Sequence, residues 1–189
     1  MRSTALTAVA AILFTGLLSA AGFDFVLRDA AGTTHTRADW KGAKAVVLIF
    51  VTTDCPVANS YVPEMNRIRD AYAGRGVVMW AVQAETSTSL SEVVRYFHEY
   101  RYDFPLLVDP KQTLVQLTGA TVTPQAAVLS TDGKVQYLGR IDNRVEDFGK
   151  QRPKATVPDL RNALDAVLDG RPVAQPVTKS IGCAINRVK

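Results

Sequence analysis

Two cysteines are the residues of this chain best suited to chemistry. Cys55 follows the apolar run of residues 45–51 and directly precedes Pro56, a residue type that favours the first turn of a helix. A thiol at a helix N-terminus meets free backbone N–H groups and the positive end of the helix dipole, which favour the nucleophilic thiolate. Asp54 acts in the opposite direction, because a neighbouring negative charge raises a thiol pKa. We therefore expect Cys55 to be a redox nucleophile rather than an inert buried residue.

The second cysteine, Cys183, lies in the C-terminal segment 171–189. This segment contains Pro172 and Pro176 and has no helical or strand periodicity, so an extended tail is expected. Two cysteines are too few for a disulfide scaffold. Three roles stay open for Cys183. It could resolve an oxidised Cys55, form a static bridge that pins the tail, or be unpaired or directed at another chain.

The N-terminal residues carry a secretory signal pattern. Arg2 is followed by the apolar run 5–18 and by small residues up to Ala21, which predicts cleavage after Ala21. The run is shorter than the ~20 residues that a spanning helix needs, which disfavours an uncleaved membrane anchor. We expect a periplasmic or secreted protein with no membrane contact after cleavage, in a compartment where disulfides persist. The mature chain would comprise a domain of residues 22–170 and the tail of residues 171–189.

Composition narrows the function classes. The chain is 47% hydrophobic with a net charge of +4, which is typical of a globular domain. Its basic residues are scattered along the chain, so no nucleic-acid partner is expected. His35 and His98 have no Cys or His at metal-ligand spacing and are expected at the surface. Neither a metal nor another cofactor is expected.

The pattern of elements predicts how the cysteines are positioned. Buried or half-buried strands are expected at residues 23–28, 45–51, 77–82 and 106–108, and a hairpin at 126–129 and 134–138 around Asp132-Gly133. Helices are expected at residues 59–73, 89–100, 113–117 and 156–168, with a capping box at Ser89 and Glu92 and with Thr156 as a cap. Residues 142–155 read as a long polar loop. This order indicates an α/β fold in which helices flank a central mixed sheet.

The segment around Cys55 resembles a known family. IFVTTDCPVANSYVPEMNRI looks like the active-site segment of thioredoxin-fold redoxins, and most of all the alkyl hydroperoxide reductase/thiol-specific antioxidant (peroxiredoxin-like) branch. Phe50 and Pro63 match in spacing, with Pro63 where the family kinks its helix. Thr123-Pro124 stands where the family holds a cis-proline beside the reactive sulfur. The resemblance covers residues 23–168 and implies a thioredoxin-like fold.

The chain also departs from the family motifs. Residues 55–58 read Cys-Pro-Val-Ala, so the second sulfur of a Cys-x-x-Cys motif is missing, and Asn59 replaces that of the Cys-x-x-x-Cys found in copper-assembly proteins. Of the peroxiredoxin pattern Pro-x-x-x-Thr-x-x-Cys, Thr52 and Cys55 match, but Leu48 stands at the proline position. The peroxiredoxin arginine has no clear counterpart. Arg140 lies in the right general strand region, and a surface salt bridge is the alternative explanation for it.

The resemblance implies an exported thiol-dependent oxidoreductase. Its catalytic and substrate-binding residues would be Cys55, Cys183, Thr52, Pro124, Thr123 and Arg140. The substrate would be a peroxide or a disulfide, reduced at the expense of an unidentified thiol electron donor. Some two-cysteine peroxiredoxins have a resolving cysteine in the C-terminal segment, the position of Cys183. The alternative is a binding or assembly module that holds a metal, a haem precursor or a client protein through Cys55 without turnover.

Overall fold

A computed structural model describes residues 24–188 of the chain. The strands are β1 (Val26–Asp29), β2 (Thr34–Thr36), β3 (Ala45–Val51), β4 (Val77–Gln83), β5 (Leu106–Val108), β6 (Val122–Thr123), β7 (Gln125–Leu129), β8 (Val135–Gly139), β9 (Val145–Asp147), β10 (Lys150–Gln151) and β11 (Cys183–Ala184). The helices are α1 (Pro56–Ala73), α2 (Leu90–Glu99), α3 (Thr113–Thr118) and α4 (Asp159–Leu168), with a 3-10 helix at Arg37–Trp40. The signal predicted for residues 1–21 lies outside the described residues. Within residues 24–188, no helix has the length and apolar character needed to cross a membrane.

Seven strands form one mixed sheet in the order β2-β1-β5-β4-β3-β7-β8. β3 is the central buried strand, and all of its residues are inaccessible to solvent. It pairs in parallel with β4 and antiparallel with β7, while β7 and β8 form the hairpin predicted around Asp132-Gly133. The apolar run at 45–51 is therefore explained by burial on both faces of the sheet.

Helices cover both faces of the sheet. Buried side chains of α1, α2 and α4 pack together on one face, and α3 with Trp40 packs on the other. The predicted capping box begins α2: the Ser89 side chain accepts from the Glu92 amide, and the Glu92 carboxylate accepts from the Ser89 amide. The predicted α/β fold with a central mixed sheet flanked by helices is confirmed.

Three local predictions were wrong. Thr156 does not cap α4, which begins at Asp159 after Pro158, because the residue before a proline is disfavoured in helical conformation. The segment 142–155 is not a plain loop, since it contains the β9–β10 hairpin. His35 is not a surface residue: its side chain is only 13% exposed and lies between the carboxylates of Asp29 and Asp39. His98, in contrast, is exposed as expected.

Candidate functional site

Cys55 is the N-cap residue of α1, immediately after the turn that ends β3. Its backbone amide donates to the Thr52 carbonyl, and its carbonyl accepts from the Asn59 amide. Pro56 occupies the first helical position, where its missing N–H costs no hydrogen bond. The helix thus begins directly after Cys55, at Pro56, three residues earlier than the predicted start at residue 59. Cys55 is fully buried.

The loop before β7 lies directly against the Cys55 sulfur. The Thr123–Pro124 peptide bond is cis, as predicted. The Thr123 carbonyl oxygen lies 3.0 Å from Cys55 Sγ and accepts its hydrogen bond in the protonated form. The hydroxyl groups of Thr52 and Thr123 are 3.1 Å apart and share a buried hydrogen bond. Thr52, Thr123 and Pro124 therefore all belong to the immediate surroundings of Cys55.

The C-terminal segment brings Cys183 to the same place. β11 pairs antiparallel with β6, and Cys183 lies directly opposite Thr123. Both cysteines are free thiols, and they lie close enough for each to shift the pKa of the other. Cys183 is partly exposed, whereas Cys55 is not. The structure thus assembles a dithiol from two segments that are far apart in the sequence.

The two thiols differ in acidity. Burial raises the pKa of the Cys55 thiol, but hydrogen bonding from Cys183, the Ala58 amide in the first turn of α1 and the Thr123 side chain outweighs it, and the pKa is lowered. For Cys183, burial, the hydrogen bond to Cys55 and the charges of Cys55 and Asp54 all act upward and raise the pKa to about 12. Cys55 is therefore the more acidic thiol of the two, and Cys183 keeps its proton to higher pH.

Arg140 is engaged by a carboxylate. Its Nε lies 2.8 Å from Asp159 Oδ2, and the Asp159 side chain is only 3% exposed. Arg140 also lines a small pocket together with Pro124 and Ile181, which places it near the dithiol. Among the described residues, it makes no hydrogen bond to either sulfur. Its role in substrate binding stays a prediction.

A polar network beneath the first turn of α1 was not predicted. The Asn59 amide donates to the Tyr100 hydroxyl at 3.0 Å and accepts from the Tyr96 hydroxyl at 2.9 Å, and Tyr96 bonds in turn to Tyr102. Asn59 thus fills the position of a second cysteine with an amide that joins α1 to α2. Tyr96 in α2 and Tyr100 directly after it, four residues apart, are the sequence signal for this network.

A cavity of about 300 Å³ opens beside the loop that carries Cys55. Its lining includes the carboxylates of Asp54, Glu92 and Glu99 and a single cation, Arg95. Among the described residues, no group of three or more His, Cys, Asp or Glu side chains is arranged to hold a metal ion.

A cysteine at a helix N-terminus after a central strand of a mixed sheet, next to a loop with a cis-proline, is the arrangement of a thioredoxin-like protein. The exposed lipoprotein thioredoxin of Streptococcus pneumoniae has the same fold, with a TM-score of 0.58 and 24% identity over 78% of this chain and 99% of that one. A hypothetical protein from Sinorhizobium meliloti 1021 superimposes with a TM-score of 0.75 and 30% identity, covering 88% of this chain and 92% of that one.

The AhpC/TSA family model matches residues 19–138, and the chain belongs to this family. The thiol-disulfide oxidoreductase ResA of Geobacillus thermodenitrificans is 28% identical over 115 residues, which cover 61% of this chain and 64% of ResA. The match therefore spans just under two thirds of the length of this relative. The predicted membership of a thioredoxin-fold redoxin family is confirmed.

Proposed function

We propose that this chain is a thiol–disulfide oxidoreductase whose redox pair is Cys55 and Cys183. One observation carries the proposal: the β6–β11 pairing places Cys183 opposite Thr123, whose carbonyl oxygen lies 3.0 Å from the sulfur of Cys55 at a helix N-terminus. The similarity to ResA, which is named a thiol-disulfide oxidoreductase, supports the same chemistry. Cys183 then supplies the second sulfur that the segment 55–58 lacks.

In the first step, the Cys55 thiolate attacks one sulfur of a substrate disulfide. A bond forms between Cys55 Sγ and that sulfur, the substrate S–S bond breaks, and the other substrate sulfur leaves as a thiolate that takes up a proton. In the second step, Cys183 Sγ attacks Cys55 Sγ and releases the remaining substrate thiolate, which is protonated in turn. The substrate gains two electrons, and the pair becomes a disulfide.

The acidity of Cys183 is suited to this order of events. In the reduced protein its pKa is raised by burial and by the hydrogen bond and charge of the Cys55 thiolate. When Cys55 enters a mixed disulfide, that charge is lost and the two contributions from Cys55 disappear. The pKa of Cys183 then falls, so that Cys183 becomes a better nucleophile only after Cys55 has reacted.

Peroxide reduction is the second candidate reaction, favoured by the peroxiredoxin-like spacing of Thr52 and Cys55 and by the buried Thr52 hydroxyl, which bonds to the Thr123 hydroxyl. The Cys55 thiolate would attack the peroxide oxygen, release an alcohol or water, and become a sulfenic acid. The Cys183 thiol would then form the Cys55–Cys183 disulfide and release water. Either reaction needs a thiol donor to reduce the pair again.

A role as a non-catalytic module for a metal or client predicts stoichiometric binding through Cys55 and no turnover.

We further propose that the protein acts outside the cytosol, in the periplasm or as a secreted protein. The support is the charge and hydropathy pattern of residues 1–21. Fusion of these residues to a reporter that is active only after export tests this point. Retention of the reporter in the cytosol would contradict it. The domain of residues 22–170 and the tail 171–189 would then form the mature chain.

A single-turnover experiment tests the reaction. The reduced protein is mixed with one equivalent of a cystine-bridged peptide or, in a parallel arm, with hydrogen peroxide, and its cysteines are mapped by mass spectrometry. We expect a Cys55–Cys183 disulfide in the wild type and no adduct in Cys55→Ser. In Cys183→Ser we expect a trapped mixed disulfide of Cys55 with the peptide, or a Cys55 sulfenic acid with peroxide. Faster reaction with peroxide than with the peptide would favour the second candidate. Adducts on Cys183 in the Cys55→Ser chain at the wild-type rate would contradict Cys55 as the nucleophile.

A further inference from the structure

The C-terminal segment 176–188 crosses the dithiol and is bonded to the domain on both sides of it; this segment is called the strap here. Before Cys183, the Pro176 carbonyl and the Thr178 amide bond to Leu138 in β8. After Cys183, the buried Ile185 donates its amide to the Thr121 carbonyl. Cys183 is therefore held against Cys55 by a segment fixed at both ends, and Cys55 is inaccessible to solvent.

Two glycines make close contact possible where the strap meets the domain. At Gly182, on the strap, a Cβ would overlap the Thr123 carbonyl oxygen. At Gly139, at the end of β8, a Cβ would overlap the Thr178 hydroxyl oxygen and crowd its amide. Neither glycine has its backbone in the left-handed region, so alanine would fit both conformations. The lack of a side chain is needed for the contact and not for the backbone dihedral angles.

The Thr178 side chain shows how the contact at Gly139 is used. Its hydroxyl lies 2.7 Å from the Tyr137 hydroxyl and accepts from the Arg140 amide at 3.1 Å. Tyr137 is almost fully buried, so the hydroxyl of Thr178 enters a polar niche in the domain that a methyl group on Gly139 would fill. This niche is separate from the sulfur atoms and contacts neither Cys55 nor Cys183 among the hydrogen bonds of the described residues.

We infer that Gly139 and Gly182 are positioning residues of the redox pair. They dock the strap, which places Cys183 on Cys55 and at the same time excludes other reactants from Cys55. Since Cys55 is inaccessible with the strap docked, a substrate reaches it only when the strap lifts from β6. This inference rests on the proposed function in one respect, the role of Cys55 and Cys183 as a redox pair. The exclusion of reactants from Cys55 can be measured whether or not that function holds.

The test measures the alkylation rate of Cys55 by iodoacetamide in a Cys183→Ser chain, where Cys55 is the single thiol. Gly182→Ala and Gly139→Ala are introduced separately into this chain. Gly74→Ala is the matched control, because a Cβ at Gly74 meets no atom within 4 Å and its φ of −75° suits alanine. We expect both test variants to raise the alkylation rate about tenfold or more and the control to leave it unchanged, because overpacked contacts favour local opening.

The second readout is hydrogen exchange of the Ile185 amide, which reports strap opening directly. It should accelerate in both variants while the amides of β3 stay protected. If Gly139→Ala unfolds the domain, Thr178→Ala replaces it, since this change removes the niche contact without adding atoms.

Equal alkylation rates in all three glycine variants would overturn the inference. So would an increase confined to Gly182→Ala, because the effect would then be local to Thr123. Failure of the proposed function has a different signature: the wild type would form no Cys55–Cys183 disulfide, whatever the alkylation rates.

Discussion

Replacing Thr123 by valine should damage the site in a way that can be measured on both stability and reactivity. Thr123 is fully buried, and its hydroxyl shares a hydrogen bond with the Thr52 hydroxyl at 3.1 Å. Valine keeps the shape but leaves the buried Thr52 hydroxyl without this partner. A buried polar group left unpaired costs about 1–3 kcal/mol. For a chain of this size the melting temperature should fall by roughly 2–12 °C.

The same substitution should alter the acidity of Cys55. Burial raises the pKa of this thiol, and hydrogen bonding from Cys183 and Thr123 lowers it. Without the Thr123 hydroxyl the pKa rises, so less thiolate is present at neutral pH and alkylation slows there. The rate at high pH should increase, because a more basic thiolate is more nucleophilic, with a Brønsted coefficient of about 0.4–0.5.

The assay is the alkylation rate of Cys55 against pH, with urea unfolding of the reduced protein alongside. Thr118→Val is the matched control: its buried hydroxyl donates to the Leu114 carbonyl at 2.9 Å in α3, which packs on the opposite face of the sheet from α1. The control should lose comparable stability and keep the Cys55 profile. If the pH midpoint of Cys55 alkylation in Thr123→Val is unchanged or lowered, the proposed role of this hydroxyl is refuted.

Two further predictions concern the charges around the pair. In the folded state the pKa of Cys183 is raised from 9.0 to about 12. The protonated Cys183 thiol therefore contributes its full stabilisation below pH 9.0, and this contribution is lost as the pH rises from 9.0 to about 12. Urea unfolding under reducing conditions should show the wild type losing stability relative to Cys183→Ser across the window, and parallel pH profiles would contradict this. Arg140→Ala should lower the free energy of unfolding by about 1–3 kcal/mol, because the buried Asp159 carboxylate loses its partner. If Arg140 also binds substrate, Arg140→Ala will lower turnover more than Asp159→Asn does when the two variants are compared at equal stability.

Local signals in the sequence were enough for much of the fold. The strand at 45–51, the capping box at Ser89 and the hairpin at Asp132-Gly133 depend on neighbouring residues, and the structure confirms each of them. The prediction that Thr156 caps α4 was wrong because its hydroxyl and amide bond to Asn143 and not to α4. Asn143 lies too far away in the sequence for a capping rule to include it.

Only part of the candidate site could be predicted from the sequence. The position of Cys55 before a helix and the cis bond at Pro124 follow from local spacing and family resemblance. The contact of Cys183 with Cys55 follows from the family resemblance only as one of three open roles and from no local pattern, because β11 is two residues long and shows no periodicity. Its position depends on contacts such as Gly182 on Thr123, which exist only once the domain has folded. Sequence reasoning therefore left three roles open for Cys183.

The most direct test of the central claim is a redox titration of the wild-type protein. The protein is equilibrated in dithiothreitol buffers of graded potential, acid-quenched, and its free thiols are alkylated and mapped. The account predicts that Cys55 and Cys183 titrate together as one two-electron couple, with a tenfold change in ratio for about 30 mV, and that the oxidised form contains an intramolecular Cys55–Cys183 disulfide. Independent titration of the two thiols, or oxidised protein in which the cysteines are joined only between chains, would contradict it.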